Sequence, residues 1–349
     1  MRLERRDQSS LALIVAAPVA AIIVSLTLSG GLIALAGANP FDAYFEMVKG
    51  AFGSRLSISE TLTRTTPLVL TGLAAAVAFR AKLWNIGGEG QLYLGALVAA
   101  WLGHNIASVV PAPLAILVIL LAGMVAGALL LLGPVLLRIR LGVDEVVTTL
   151  ILNFIVLLFV SMMIEGPMKD PLAFGWPQSV SVDRDVLLPK LLARSRLHIG
   201  LLIAVAAAVL IWFVQTRTVF GLETKAAGLN RNAASFAGIA LGKTMLGVAC
   251  ISGSLAGLAG AIEVTGLKGY VTLDLSPGYG YSGIVVAMLA GLNPLGVVIT
   301  ALFVAIVFVG ADSMSRALGV PSFIADVIVS ISLLTMLVCL LFTTYRVRR

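Results

Sequence analysis

The stretch Leu83 to Gly95, LWNIGGEGQLYLG, sets Asn85, Glu89 and Gln91 among glycines, with apolar sequence on both sides. Amide and carboxyl groups in such a setting bond neighbouring backbone or hold a polar solute. Near lipid they are costly unless they line a cavity, meet a partner or face water. Asn153 stands alone in LILNFIV, and Tyr279 and Tyr281 flank Gly280 in a glycine-rich stretch after Pro277. An asparagine deep in an apolar run either contacts a solute or bonds helices to one another. The two tyrosines either stack on a ring-shaped solute or belong to an interfacial aromatic belt.

Other chemistry is poorly provided for. His104 and His198 are the only histidines, no HExxH pattern occurs, and Cys250 and Cys339 both lie in apolar runs. Neither a transition-metal site nor a disulfide framework is expected. AGIALGKT, Ala237 to Thr244, nearly matches the phosphate-binding loop GxxxxGK[ST]. That motif needs a strand before it and a soluble helix after it, so that backbone N–H groups cradle phosphate. Here a helical segment precedes and an apolar span follows, so Lys243 reads as an interfacial cation.

The elements that position these residues are set by the composition. Of 349 residues, 59% are hydrophobic and 12% charged, and mean hydropathy is +1.05. Soluble domains carry about 25% charged residues, so the chain reads as an all-α polytopic membrane protein forming a single transmembrane domain over 1–349. Apolar runs of membrane length predict about ten spans: 11–37, 60–79, 88–109, 112–137, 146–165, 198–216, 244–264, 275–291, 295–311 and 322–343. Pro277, nearby glycines and the short link Gly291 to Pro294 mark the eighth and ninth as broken or re-entrant, and eight spans is the alternative. The first run is too long for a signal peptide.

Either even count puts both termini on one side. With the termini cytoplasmic, 14 of the 24 basic residues fall on inner segments, including the terminal clusters MRLERR and YRVRR, which favours termini-in. The scattered basic residues fit membrane orientation and not nucleic acid. On this map 166–197 is an extracytoplasmic loop and 217–243 a cytoplasmic segment. The latter holds good helix formers broken by Gly228, and Asn230 suits the N-cap of a second short helix. Two short helices lying across the inner face would suit docking of a soluble partner. Glycines spaced by four at Gly123 and Gly127, and again at Gly253 and Gly257, predict close helix packing. Glu165, Glu263, Asp274 and Asp312 fall near outer span ends, where snorkelling or loop placement keeps them within reach of water.

Read together, FRAKLWNIGGEGQ (Phe79 to Gln91), SRLHIG (Ser195 to Gly200), ISGSLAGLAGAIE (Ile251 to Glu263) and GYSGIVVAMLAGLNPLGV (Gly280 to Val297) resemble permease subunits of bacterial ABC importers. The group is the branched-chain amino acid, ribose and nucleoside permeases, and the look is closest to the nucleoside, guanosine-type branch. The blocks keep their order over nearly the whole chain. Trp84 departs from a more usual phenylalanine, and Lys225 from a more usual arginine.

The resemblance implies a pathway formed with a second permease, often a different chain. It implies a separate cytoplasmic ATPase that binds ATP and magnesium, an extracytoplasmic solute-binding protein or lipoprotein, and no cofactor on this chain. Coupling to the ATPase then falls on Glu223, Lys225, Ala226, Ala227, Gly228, Asn230 and Ala234. The translocation path falls on Asn85, Glu89, Gln91, Asn153, Tyr279 and Tyr281, with Asn85 and Glu89 also suited to cap the third span. An ion-coupled transporter would need ionisable groups at mid-membrane, and a membrane enzyme a nucleophile–base pair. Neither set is found.

Overall fold

The computed structural model describes residues 2–5, 11–106 and 110–348. Arg6 and Arg349, the last residues of the two basic terminal clusters, lie outside the described residues, as does the 107–109 end of the third expected span. The helices are α1 (Leu11–Leu35), α2 (Pro40–Phe52), α3 (Arg55–Arg80), α4 (Gly88–Asn105), α5 (Ala112–Leu141), α6 (Glu145–Glu165) and α7 (Gly200–Arg217). They continue with α8 (Val219–Leu229), α9 (Arg231–Phe236), α10 (Leu241–Glu263), α11 (Tyr279–Leu289), α12 (Pro294–Leu318) and α13 (Ser322–Thr344). Two short strands, β1 (Arg2–Arg5) and β2 (Tyr345–Arg348), pair antiparallel. Among the described residues the regular elements are helical apart from this terminal ribbon, which hydropathy does not reveal.

Every expected span coincides with a helix, but not every helix is a crossing. Among the described residues α3, α5, α6, α7, α10 and α12 are long and apolar enough to span a membrane. A seventh results if Ile23–Leu35 and Pro40–Phe52, bent by 114°, count as one. The shortfall from ten is clearest at α11: its 11 residues rise about 17 Å against a hydrocarbon core of ~30 Å. α2 is a helix that periodicity within the apolar runs did not suggest. Asn39 caps it by accepting from the Phe41 N–H, and Pro40 supplies a preset first turn.

The chain forms two compact units, Met1–Thr61 with Leu302–Arg349, and Leu62–Ala301. In the first, α1 packs along α13, with a Ser25–Ser332 hydroxyl contact of 2.7 Å. The second is built around α10, whose side chains are buried along most of its length. Glycine pairs let α10 lie against α5 in antiparallel contact. A Cβ on Gly127 would meet the Gly253 carbonyl, and one on Gly257 would meet the Gly123 carbonyl. α4 joins the same seam, because a Cβ on Gly95 would strike Gly257. The expected GxxxG packing is present.

At one end of this unit the 166–197 segment is pinned down. Val182 N–H donates to Gly269 O (2.8 Å), Leu188 N–H to Thr265 O (2.8 Å) and Asp183 N–H to Gly103 O (3.2 Å). Glu263, placed near water by the sequence, is buried instead.

Candidate functional site

α3 stops at Arg80, and Lys82 turns in the left-handed region at φ 53°. The chain then runs without regular structure to Gly88, beside α6. Irregular backbone in a membrane protein needs partners inside the protein, and α6 supplies them from one face. Trp84 N–H donates to Glu145 Oε1 (3.0 Å), Ile86 N–H to Thr149 Oγ1 (3.3 Å) and Gly90 N–H to Asn153 Oδ1 (2.8 Å). The three acceptors are four residues apart, so they stack one turn above another, over about 12 Å of helix. All three are buried. Arg138 pairs with Glu145 and also donates to Lys82 O (3.1 Å), which fixes the foot of the ladder.

Asn85 is the hub of the next layer. Its Oδ1 accepts from Gly87 N–H at 3.0 Å, an Asx turn. Its amide pairs reciprocally with that of Gln91, at 3.0 and 2.9 Å, and its Nδ2 donates to Ser252 Oγ at 3.0 Å. Ser252 passes the chain on to Ala74 O in α3, at 2.8 Å. Four segments are thus tied by side-chain amides and one hydroxyl.

Glu89 does not cap its own helix; α4 begins at Gly87–Gly88 without a side-chain cap. Its Oε2 accepts from the Gly280 N–H of α11 at 2.6 Å. The first turns of α4 and α11 meet here, and an added Cβ on Gly88 would lie 3.5 Å from Gly280 O. Two helix N-termini bring like partial charges together, and an acidic side chain between them offsets that cost. Thr71 Oγ1 donates to Tyr279 O at 2.9 Å, and Asn153 Nδ2 donates to Ile86 O (2.9 Å) and Tyr281 OH (3.2 Å).

The second cluster is α8–α9. Thr218 caps α8 by accepting from Gly221 N–H (3.3 Å), and Asn230 caps α9 by accepting from Ala233 N–H (3.1 Å). The break between the helices falls at Asn230. Gly228 sits inside α8, where an added Cβ would strike Arg80 O at the end of α3. Its role is close approach, not helix breaking. Glu223 accepts from Thr244 Oγ1 at 3.2 Å, tying α8 to the first turn of α10. Thr244 and Lys243 therefore open a helix preceded by α9, the wrong setting for a phosphate loop.

The family model described as "Branched-chain amino acid transport system / permease component" matches residues 57–344. The chain belongs to this permease family. It is 34% identical over 340 residues to the glucose ABC transporter permease protein TsgB13 of Haloferax volcanii, covering 95% of this chain and 89% of that one. It is 34% identical to the guanosine ABC transporter permease protein NupP of Bacillus subtilis, with 91% of each covered. It is 35% identical to the nucleoside ABC transporter permease protein NupB of Lactococcus lactis, over 89% and 87%. No solved structure matches.

In this permease the six path residues named from sequence converge on one hydrogen-bonded cluster. Only Tyr281 is open, at 38% exposure; Asn85, Glu89, Gln91, Asn153 and Tyr279 are buried. The coupling residues divide likewise. Ala227, Gly228 and Ala234 face inward, while Lys225 and Asn230 are exposed and Glu223 and Ala226 partly so. Sequence reading missed Glu145, Thr149, Ser252 and Thr71 in the first cluster. It also missed exposed Leu222, Leu229 and Phe236 in the second. The spacing of Glu145, Thr149 and Asn153 at i, i+4 and i+8 was a usable signal, as were three apolar side chains in a segment between charged residues.

Proposed function

We propose that this permease imports nucleosides as a membrane subunit of an ATP-driven importer in the cytoplasmic membrane. Near-full-length similarity to permeases named for guanosine and nucleosides carries the reading. Tyr281 supports it: a partly open ring whose hydroxyl is held by Asn153 suits a flat base. A simple sugar is the second reading, favoured by similarity to a glucose permease at the same identity. Uptake of labelled guanosine by cells carrying the transporter, competed by other nucleosides, ribose or glucose, separates the two. Competition by nucleosides alone is expected; competition by glucose or ribose alone overturns the assignment.

The chain binds neither ATP nor magnesium in this reading. A separate ATPase docks on α8–α9, a second permease completes the pathway, and an extracytoplasmic binding protein delivers solute. Support comes from the exposed Leu222, Leu229 and Phe236 on short helices anchored to α3 and α10. Lys225→Glu with Phe236→Asp is expected to abolish uptake and ATPase co-purification while membrane insertion persists. Both chain termini are cytoplasmic, with up to ten helices at membrane depth. The pairing of β1 with β2 supports an even number of crossings.

A further inference from the structure

Between α5, α7 and α10 lies an apolar groove of about 630 Å³ that the transport reading leaves unused. Met124 of α5, Ile203, Leu210 and Val214 of α7, and Ile251 and Leu258 of α10 form its walls. Leu210 and Cys250 open to the surface. From Ile203 to Val214 the groove follows about 17 Å of helix, the depth of one leaflet of a ~30 Å hydrocarbon core.

Charge distinguishes one end. Val214 leads directly to Arg217, the last residue of α7. α5 reaches this same end, because Ile139 would lie 3.8 Å from a Cβ on Gly242 at the start of α10. Phe220 lies against Gly247 and closes the corner from α8. Arg140 near the end of α5, Arg217 at the end of α7 and Lys243 in the first turn of α10 therefore lie at this end of their helices, all exposed and without an ion pair among the described residues. The acidic groups at this end are already engaged. Glu145 holds Arg138, Glu223 bonds Thr244, and Asp144 caps α6 by accepting from Val146 N–H at 2.8 Å.

We infer that this groove is a specific site for an anionic phospholipid. An acyl chain lies along Ile203 to Val214, and the headgroup phosphate sits against Arg140, Arg217 and Lys243. An apolar trough one leaflet deep with exposed cations outside any ion pair at its end matches both parts of such a molecule.

The test uses the full chain in vesicles of equal parts phosphatidylglycerol and phosphatidylcholine. Mild detergent extraction follows, and co-purifying lipid is measured by mass spectrometry. Retention of phosphatidylglycerol, enriched several-fold over phosphatidylcholine, is expected. Arg140→Ala with Arg217→Ala and Lys243→Ala should remove the enrichment. Ala207→Trp, which fills the trough and keeps the cations, should expel the lipid. Equal retention of both lipids, or enrichment that survives both sets of changes, overturns the proposal. So does an Ala207→Trp protein that loses self-association but keeps its lipid, since the groove would then be a contact between copies.

Discussion

Asn153 spends both ends of its amide on backbone: Oδ1 on Gly90 N–H and Nδ2 on Ile86 O, with Tyr281 OH as a further acceptor. Asn153→Leu strands a buried donor and a buried acceptor, each worth about 1–3 kcal/mol when unpaired. The expected outcome is severalfold less folded protein, with uptake per folded molecule near normal, measured by size-exclusion yield beside guanosine uptake. Normal yield with depressed uptake would return Asn153 to the solute path. His198 offers a pH-dependent counterpart in the loop preceding α7. It is fully buried between Gly200 and Gly266, and its Nδ1 accepts from Gly200 N–H at 3.1 Å. Burial pushes the imidazole down to about 4, against about 6.5 in the unfolded chain. The unfolded state therefore takes up the proton first, and stability falls as pH drops from about 6.5 toward 4. His198→Asn keeps a local acceptor without titrating, so its melting temperature should decline less between pH 7 and pH 5 than the parent's. Equal declines would remove His198 as the cause.

At the scale of elements, the three-helix seam of α4, α5 and α10 is where glycine decides the packing. Gly257 is its centre: a side chain there meets the Gly123 carbonyl, and Gly95 closes on it from α4. Gly257→Val should abolish accumulation of folded protein, because backbone is what must move. Gly133→Val in α5, with nothing within 4 Å of its Cβ, should be tolerated. Equal tolerance in a thermal-stability assay would show that the seam does not hold the unit together. The glycine spacing behind the α5–α10 contact was legible in the sequence, as were the helix positions and the Asn230 cap, because each depends on residues within one or two turns; the closure of Gly95 from α4 and the smaller number of membrane-length helices were not. The α6 ladder was not: Trp84 and Glu145 are 61 positions apart, and only the fold tells which irregular segment a polar helix face serves. Glu89 was misread for the same reason. A carboxylate in the first turn of a helix normally serves that helix, and the nearness of α11 is a tertiary fact. Gly228 shows the converse error, a glycine taken for a breaker where contact with Arg80 O required it.

The whole molecule gives α10 the part of a strut between two faces. Thr244 near its start bonds Glu223 of α8, and Thr265 just beyond its end accepts the Leu188 N–H of the 166–197 loop. The 21 residue steps from one to the other rise about 32 Å, the thickness of a hydrocarbon core of ~30 Å. The two polar segments are thus held a membrane apart by a single helix. That loop is clasped to Gly103 of α4 and to Thr265 and Gly269 just beyond α10 by backbone bonds. Orientation follows from a cysteine pair in a background carrying Cys250→Ser and Cys339→Ser. Ser181 and Asn232 are both exposed, on the loop and on α9 respectively. With 217–243 cytoplasmic, Ser181→Cys should react with an impermeant maleimide added to intact cells. Asn232→Cys should react only once the membrane is opened. The reverse pattern would place α8–α9 outside, beyond the reach of any cytoplasmic ATPase, and would overturn the docking assignment together with the orientation.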